Sequence, residues 1–197
     1  MKLTVLPLMS ARWPDLVDLF TRPGGSIVRG CWCMYYRKPG ASATSAAGHK
    51  NKRALKALVD RDVVPGLLAY KDGRPVGWIS LGPREDYERL QRSQVMRPVD
   101  DKPVWSIVCF FVDRRERGKG VSRALLRGAI AYARSQGARL LESYPIDKKT
   151  RSHDDFMWFG AKHMYEREGF REVARRRPTR PVMRRRLRGS EERSGGF

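Results

Sequence analysis

The passage from residue 104 to residue 135 constrains this chain more than any other. Residues 104–112 are a nearly unbroken apolar run, as a strand covered on both faces requires. The next segment, Asp113-Arg114-Arg115-Glu116-Arg117-Gly118-Lys119-Gly120, is all charge and glycine. From Val121 the apolar period becomes helical: Val121, Ala124, Leu125, Gly128 and Tyr132 share a face, and Gly137 suits the C-terminal cap. A buried strand that feeds a glycine turn and then a helix gathers free backbone N–H groups and a positive dipole end at one point. Such a point is an anion site suited to a pyrophosphate. Arg114, Arg115, Arg117 and Lys119 add positive charge beside it.

Two common phosphate-binding patterns do not fit. No glycine is followed five residues later by Gly-Lys-Ser/Thr, and the third glycine of a dinucleotide fingerprint is missing. On glycines and arginines alone, a plain strand-to-helix turn with a basic surface stays open as an alternative.

The remaining pattern places strands at 3–8, 66–71, 74–80, 139–144, 170–174 and 182–187, and helices at 12–20, 51–60 and 155–168. Ser10 is a candidate N-cap, Asp72-Gly73 a hairpin turn and Gly169 a helix stop. Residues 30–37 suit a strand or a packed loop, and 84–93 a short surface helix. Residues 38–48, rich in Ala, Ser and Gly, read as a mobile loop. Residues 145–154 read as a polar loop and 188–197 as a disordered basic tail. The order β-α-α-β-β-β-α-β-α-β-β predicts one mixed α/β domain over residues 1–187.

The segment around residues 104–135 resembles the acetyl-CoA motif of the GNAT superfamily of N-acetyltransferases. That motif is Gln/Arg-x-x-Gly-x-Gly/Ala, between a strand and a helix. The preferred reading here is Arg117-Gly118-Lys119-Gly120-Val121-Ser122, with Ser122 at the last small position and Arg114 where proline is common. A second register, Arg115 to Gly118 to Gly120, also fits the letters. The resemblance implies a central mixed, mostly antiparallel sheet flanked by helices, with strands 104–112 and 139–144 splayed apart. It implies that backbone groups of Phe110, Phe111 and Val112 bind the pantetheine arm as an added strand. N–H groups of Gly118, Lys119, Gly120, Val121, Ser122 and Arg123, with Arg117 beside them, would hold the pyrophosphate. Farther on, Met164-Tyr165-Glu166-Arg167-Glu168-Gly169-Phe170 is similar to the family's Leu-Tyr-Glu-x-x-Gly-Phe ending. Tyr165 matches the tyrosine that often protonates the departing CoA thiolate. Trp158 stands where the family often has asparagine.

The implied activity is transfer of an acetyl group from acetyl-CoA to a primary amine, by direct attack in a ternary complex. The acceptor is a small amine or a protein amine, and homodimers are common in the family. An alkylamine is mostly protonated at neutral pH, with a reference pKa of ~10.4, so a proton must be removed before attack. Glu142 matches a base glutamate of some family members; an edge-strand carboxylate paired with an arginine is the competing reading. Glu85 and Asp86, ahead of Tyr87, are rival bases or amine binders, and His153 and His163 are further candidates. Cys109 on the cofactor strand would allow an acyl-cysteine route, though no base is visible beside it. The aromatic residues Trp32, Tyr35, Tyr36, Trp78, Tyr87 and Trp158 read either as core or as walls of an acceptor pocket.

Charge supplies the second class of reading. The formal net charge is +20 and the sequence pI about 10.7, with arginines crowded between Arg175 and Arg188. That favours polyanionic company. A non-catalytic CoA-binding module, or one that touches nucleic acid or the ribosome, is therefore the alternative. Cys31, Cys33 and Cys109 make no disulfide framework, and Cys31-Trp32-Cys33 lacks a second ligand pair for a metal. No targeting segment is visible and no apolar run approaches ~18 residues. The chain reads as cytoplasmic, free of membrane and of metal.

Overall fold

The computed structural model describes residues 3–23, 26–148 and 157–187. Seven strands form one open sheet: β1 (Leu3–Pro7), β2 (Gly66–Lys71), β3 (Arg74–Pro83), β4 (Trp105–Val112), β5 (Leu140–Ser143), β6 (Arg171–Arg177) and β7 (Arg180–Arg186). Their spatial order is β1-β2-β3-β4-β5-β7-β6, and every pairing is antiparallel except β4 with β5. The β2–β3 hairpin turns at Asp72 (φ 49°) and Gly73 (φ 75°). Two left-handed residues give the twist a two-residue hairpin needs.

Helices cover both faces. On one lie α1 (Trp13–Thr21), α2 (Ser26–Cys31) and α3 (Gly48–Val59), packed around Leu16, Leu19, Phe20, Leu55 and Trp78. The four-residue α4 (Glu88–Gln91) follows β3. On the other face α5 (Val121–Ser135) buries Val121, Leu125, Leu126, Ala129, Ile130 and Ala133. It lies so close to β1 that a Cβ on Gly128 would come within 2.5 Å of Val5 Cγ1. The last helix is α6 (Lys162–Arg167).

The structure corrects several local readings. Residues 30–37 are not a strand. The helix α2 ends at Cys31, and Trp32 (φ 43°) and Cys33 (φ 52°) then reverse the chain in left-handed conformations. A helix of six residues is too short to reveal itself by periodicity. The 38–48 segment is held rather than free. The Arg89 guanidinium donates to the carbonyls of Lys38, Pro39 and Ala41. The buried Asn51 amide donates to the carbonyls of Gly30 and Ser42, at 2.7 Å each. Ser10 opens a 3-10 turn and makes no capping bond. Among the described residues the sixth helix spans only Lys162–Arg167, because Ala161 bridges to Ile146 in extended form. Residues 149–156, with His153, and the tail 188–197 lie outside the described residues.

Part of the arginine-rich stretch is tied to the domain, while Arg177 and Arg186 are exposed. Arg175 pairs with Glu172 and Asp147, and Arg176 donates to the carbonyls of Val95, Arg97 and Pro98. Arg184 is buried against Glu142 and Asp100, and Arg185 donates to the Glu168 carbonyl. These guanidiniums fasten the β6–β7 hairpin to the domain.

Candidate active site

The site begins with a fork in the sheet. β4 and β5 pair only where Trp105, Ser106 and Ile107 face Leu141, Glu142 and Ser143. β5 ends there, whereas β4 runs on to Val112. Opposite β3 the register shifts, Ser80 facing Cys109 and Leu81 facing Ile107, so Val108 is a bulge residue at the fork. Asp113 N–H donates to the Val76 carbonyl. Counting back along an antiparallel ladder, Phe111 is bonded toward β3, while Phe110 and Val112 turn their backbone groups to the open edge. Of the three residues expected to grip a pantetheine arm, two thus present backbone to the fork and Phe111 presents only its side chain. Trp158 enters the fork from the other side: its carbonyl accepts from Phe110 N–H at 2.6 Å.

The turn after β4 is organised by Asp113. Its side chain accepts from Arg115 N–H at 3.0 Å and from Arg22 Nη1 at 3.0 Å. Burial alone would raise this carboxyl, but the Arg115 N–H and the Arg22 guanidinium hold it below the usual carboxylate range. Gly118 (φ 76°) and Gly120 (φ 81°) are both left-handed, and Gly120 is the N-cap of α5. Ser122 lies in the first helical turn, where any residue fits. Both left-handed glycines fall within the Arg117 reading and within the Arg115 reading, so the backbone fits either register. The first intrahelical bond runs from Ala124 N–H to the Gly120 carbonyl. The N–H groups of Val121, Ser122 and Arg123 precede it and have no acceptor within the helix.

Asp113→Asn is expected to cost about 1.5–3 kcal/mol at pH 7, the range of a hydrogen bond to a charged group. The folded carboxyl titrates below its unfolded reference of ~3.9. Its contribution is therefore complete above that reference and lost as pH falls through the lower folded value. Urea denaturation of both proteins should show a gap at pH 7 that closes on acidification; a gap independent of pH would refute the charge argument.

Fork and turn open on one cleft of about 870 Å³. Phe110, Phe111, Val112, Arg117, Gly118, Gly120, Val121, Ser122 and Arg123 all line it. Lys119 does not line it, and its ammonium meets Glu116 at 3.4 Å. Glu116 also lines the cleft, and Lys71 and then Lys119 hold its carboxyl below the usual range. At the other end are Cys31, Cys33, Tyr35, Tyr36 and Ala43, with Cys109 and Trp158.

The family profile described as the acetyltransferase (GNAT) family matches residues 32–170. The chain belongs to the GNAT acetyltransferase family. Solved GNAT structures share its fold at low identity. A Corynebacterium glutamicum protein described as histone acetyltransferase HPA2 and related acetyltransferase is 20% identical, with TM-score 0.57 over 95% of this chain and 98% of that one. A Staphylococcus aureus Mu50 N-acetyltransferase is 14% identical, with TM-score 0.56 over 95% and 100%. The PaiA N-acetyltransferase of Thermoplasma acidophilum, solved in complex with coenzyme A, is 13% identical, with TM-score 0.52 over 94% and 99%. No curated protein sequence matches the chain.

The sites expected for chemistry on this GNAT domain fare unevenly. Glu142 is 0% exposed and does not line the cleft. Oε1 accepts from Arg84 Nη1 at 2.5 Å and from the Tyr144 hydroxyl at 2.6 Å, and Oε2 accepts from Arg184 Nε at 2.7 Å. Both oxygens are committed, so this carboxylate is a buried anchor between β3, β5 and β7 rather than a base at the fork. Glu85 is exposed, Asp86 is paired with Arg37, and the Tyr87 hydroxyl is buried as an acceptor from Arg37. None of the three lines the cleft.

Tyr165 stands one layer behind the cleft. It is fully buried with its ring near Phe110, and its hydroxyl donates to the Phe159 carbonyl at 2.9 Å. Burial pushes it well above the usual phenol range, so it carries its proton at neutral pH. His163 is exposed on α6 and lines the cleft. Cys109 lines it too, its thiol donating to the Phe110 carbonyl at 3.7 Å. Sequence reasoning missed Cys31, Cys33, Ala43 and Arg167 as lining residues. Only the aromatic residues of the 32–36 segment hinted at a wall there. Among the described residues, no helix is long and apolar enough to cross a membrane.

Proposed function

We propose that this domain binds acetyl-CoA along the open edge of β4 and transfers the acetyl group to a primary amine by direct attack. The observation that carries this reading is the junction of the forked β4 edge with the left-handed Gly118–Gly120 turn, both inside one cleft. The pyrophosphate would sit on the N–H groups of Val121, Ser122 and Arg123, with the positive end of the α5 dipole behind them. Arg117 and Arg167, also in the cleft wall, add counter-charge. The pantetheine arm would take the backbone groups of Phe110 and Val112. Its carbonyl would replace that of Trp158 on Phe110 N–H. The thioester then lies at the Val108 bulge, where backbone N–H groups can meet the developing oxyanion.

In the transfer the amine nitrogen bonds to the acetyl carbon, the C–S bond breaks, and the sulfur leaves as thiolate. Tyr165 is the proton donor for that thiolate in this reading, its hydroxyl swinging from the Phe159 carbonyl as the arm enters, and the proton lost by the amine nitrogen restores it. Tyr165→Phe should lower kcat by roughly 10-fold or more, within reach of general-acid assistance. Acetyl-CoA affinity should stay within about twofold, because the phosphate contacts lie elsewhere. Equal turnover by the variant removes Tyr165 from this role.

The reading is tested by calorimetric titration of nucleic-acid-free protein with acetyl-CoA, followed by an assay of amine-dependent CoA thiol release. Saturable binding without release by any amine would reduce the protein to a CoA-binding module. No binding at all would overturn the reading.

A further inference from the structure

Resting on the acetyl-CoA reading above, we infer that the acceptor is a neutral planar aromatic amine, and that Tyr36 selects it. The acceptor end of the cleft lies on the face of the sheet opposite α5, where Cys109 and Phe111 pack near α1 and α3. Its wall comes from α2 and the turn after it: Cys31, Cys33, Tyr35 and Tyr36 line it together with Trp158. These are ring surfaces and neutral thiols. Burial pushes the Cys31 thiol up to about 12. The neighbouring Cys109 thiol and burial also raise the Cys33 thiol well above its usual value. Burial likewise lifts the Tyr36 hydroxyl to about 12, and Trp158 hydrogen-bonds to it.

The rings are already arranged for an aromatic guest. Tyr35 and Tyr36 meet edge to face at 5.1 Å and 84°, and Tyr36 meets Phe159 at 5.4 Å and 60°. The wall does not need to form on binding, because Arg89 and Asn51 tie the 38–42 backbone behind it. A preformed aromatic slot gains from a flat ring without an ordering cost.

Charge argues against a cationic guest. Aromatic faces can hold an ammonium group, but two guanidiniums already stand at this aromatic cluster, over Tyr35 in the wall and over Phe159 behind Tyr36. Arg89 lies 3.9 Å over the Tyr35 ring and Arg180 lies 4.8 Å over Phe159. Among the described lining residues the one carboxylate is Glu116, at the phosphate end between Lys71 and Lys119. A polyamine or aminoglycoside would meet positive charge there and lose hydration without compensation. An arylamine, whose nitrogen lone pair is shared with its ring, enters unprotonated. It therefore needs no carboxylate base, which accords with the burial of Glu142. The nitrogen forms the new C–N bond, the thioester C–S bond breaks, and the proton lost by nitrogen ends on the CoA sulfur.

The experiment measures acetyl-CoA-dependent CoA release at pH 7.5 with three acceptors: p-anisidine, cyclohexylamine and spermidine. Acetyl-CoA titrations run in parallel. The expected kcat/KM for p-anisidine is at least about 10-fold above that for either alkylamine. Tyr36→Leu should erase this advantage and Tyr36→Phe should keep most of it, with acetyl-CoA affinity unchanged in both, which also reports that they fold. Faster turnover of cyclohexylamine or spermidine overturns the inference. So does an advantage that survives Tyr36→Leu. Acetyl-CoA binding with no acetylation of p-anisidine overturns it too, and leaves the cofactor reading standing. Failure to bind acetyl-CoA removes that reading, and this inference with it.

Discussion

Glu142→Gln is expected to lower stability by about 3–5 kcal/mol, the usual cost of breaking one partner of a buried ion pair. The reason lies in what surrounds the carboxylate. Arg84 donates to Glu142, to the Tyr144 hydroxyl and to the carbonyls of Leu90 and Met96. Arg184 joins the same carboxylate to Asp100. Glu142 is thus the anion between two guanidiniums, Arg84 being 6% and Arg184 8% exposed. Removing its charge leaves both cations buried with too little counter-charge. For a chain of this length the loss corresponds to a fall in Tm of roughly 6–20 °C. Arg184→Glu should be at least as damaging, because it sets a second carboxylate against Glu142. Differential scanning calorimetry decides the matter. If Glu142→Gln keeps the wild-type Tm and loses only turnover, Glu142 is a base after all and the anchor role is wrong.

Gly120→Glu should weaken acetyl-CoA binding by about 100-fold or more. Gly120 sits at φ 81° at the N-cap of α5. A side chain there has open space, with nothing within 4 Å of an added Cβ, so the fold should survive. The cost to the fold is the left-handed backbone, about 1–2 kcal/mol. The cost to binding is larger, because the new carboxylate stands at the helix end where the pyrophosphate would bind, with like charge and shared N–H groups. Gly73→Glu is the matched control. Gly73 has φ 75° and equally open surroundings, but it lies in the β2–β3 hairpin away from the cleft. Calorimetric titration should show wild-type affinity for Gly73→Glu and a near loss for Gly120→Glu. Similar affinity in both variants would mean that the turn is not the phosphate site.

The strand–turn–helix at residues 104–135 was legible from residues alone because its signals are local. An apolar run, paired glycines and a 3.6-residue period depend on neighbours in sequence. The family followed from the same segment and from the Met164–Phe170 ending. Two limits of reading letters alone are instructive. Letters alone allowed two registers of the motif, and only backbone dihedrals distinguish glycines that are needed from a serine in a helical turn. The Arg175–Arg186 run looked like a surface, since a count of charges does not say which carboxylates and carbonyls lie across from them.

What the sequence determined by itself was the order of the strands and longer helices, the glycine turn before α5 and the superfamily. Tertiary structure alone decided what each polar side chain does. Glu142 became an anchor because Arg84 and Arg184, 58 and 42 residues away, converge on it. The short helix α2 and its left-handed turn became a wall of the cleft because Asn51 and Arg89 pin the chain that follows. Such pairings are long-range, and the free energy of a buried charge or of a ring's face depends on partners that no sequence window contains.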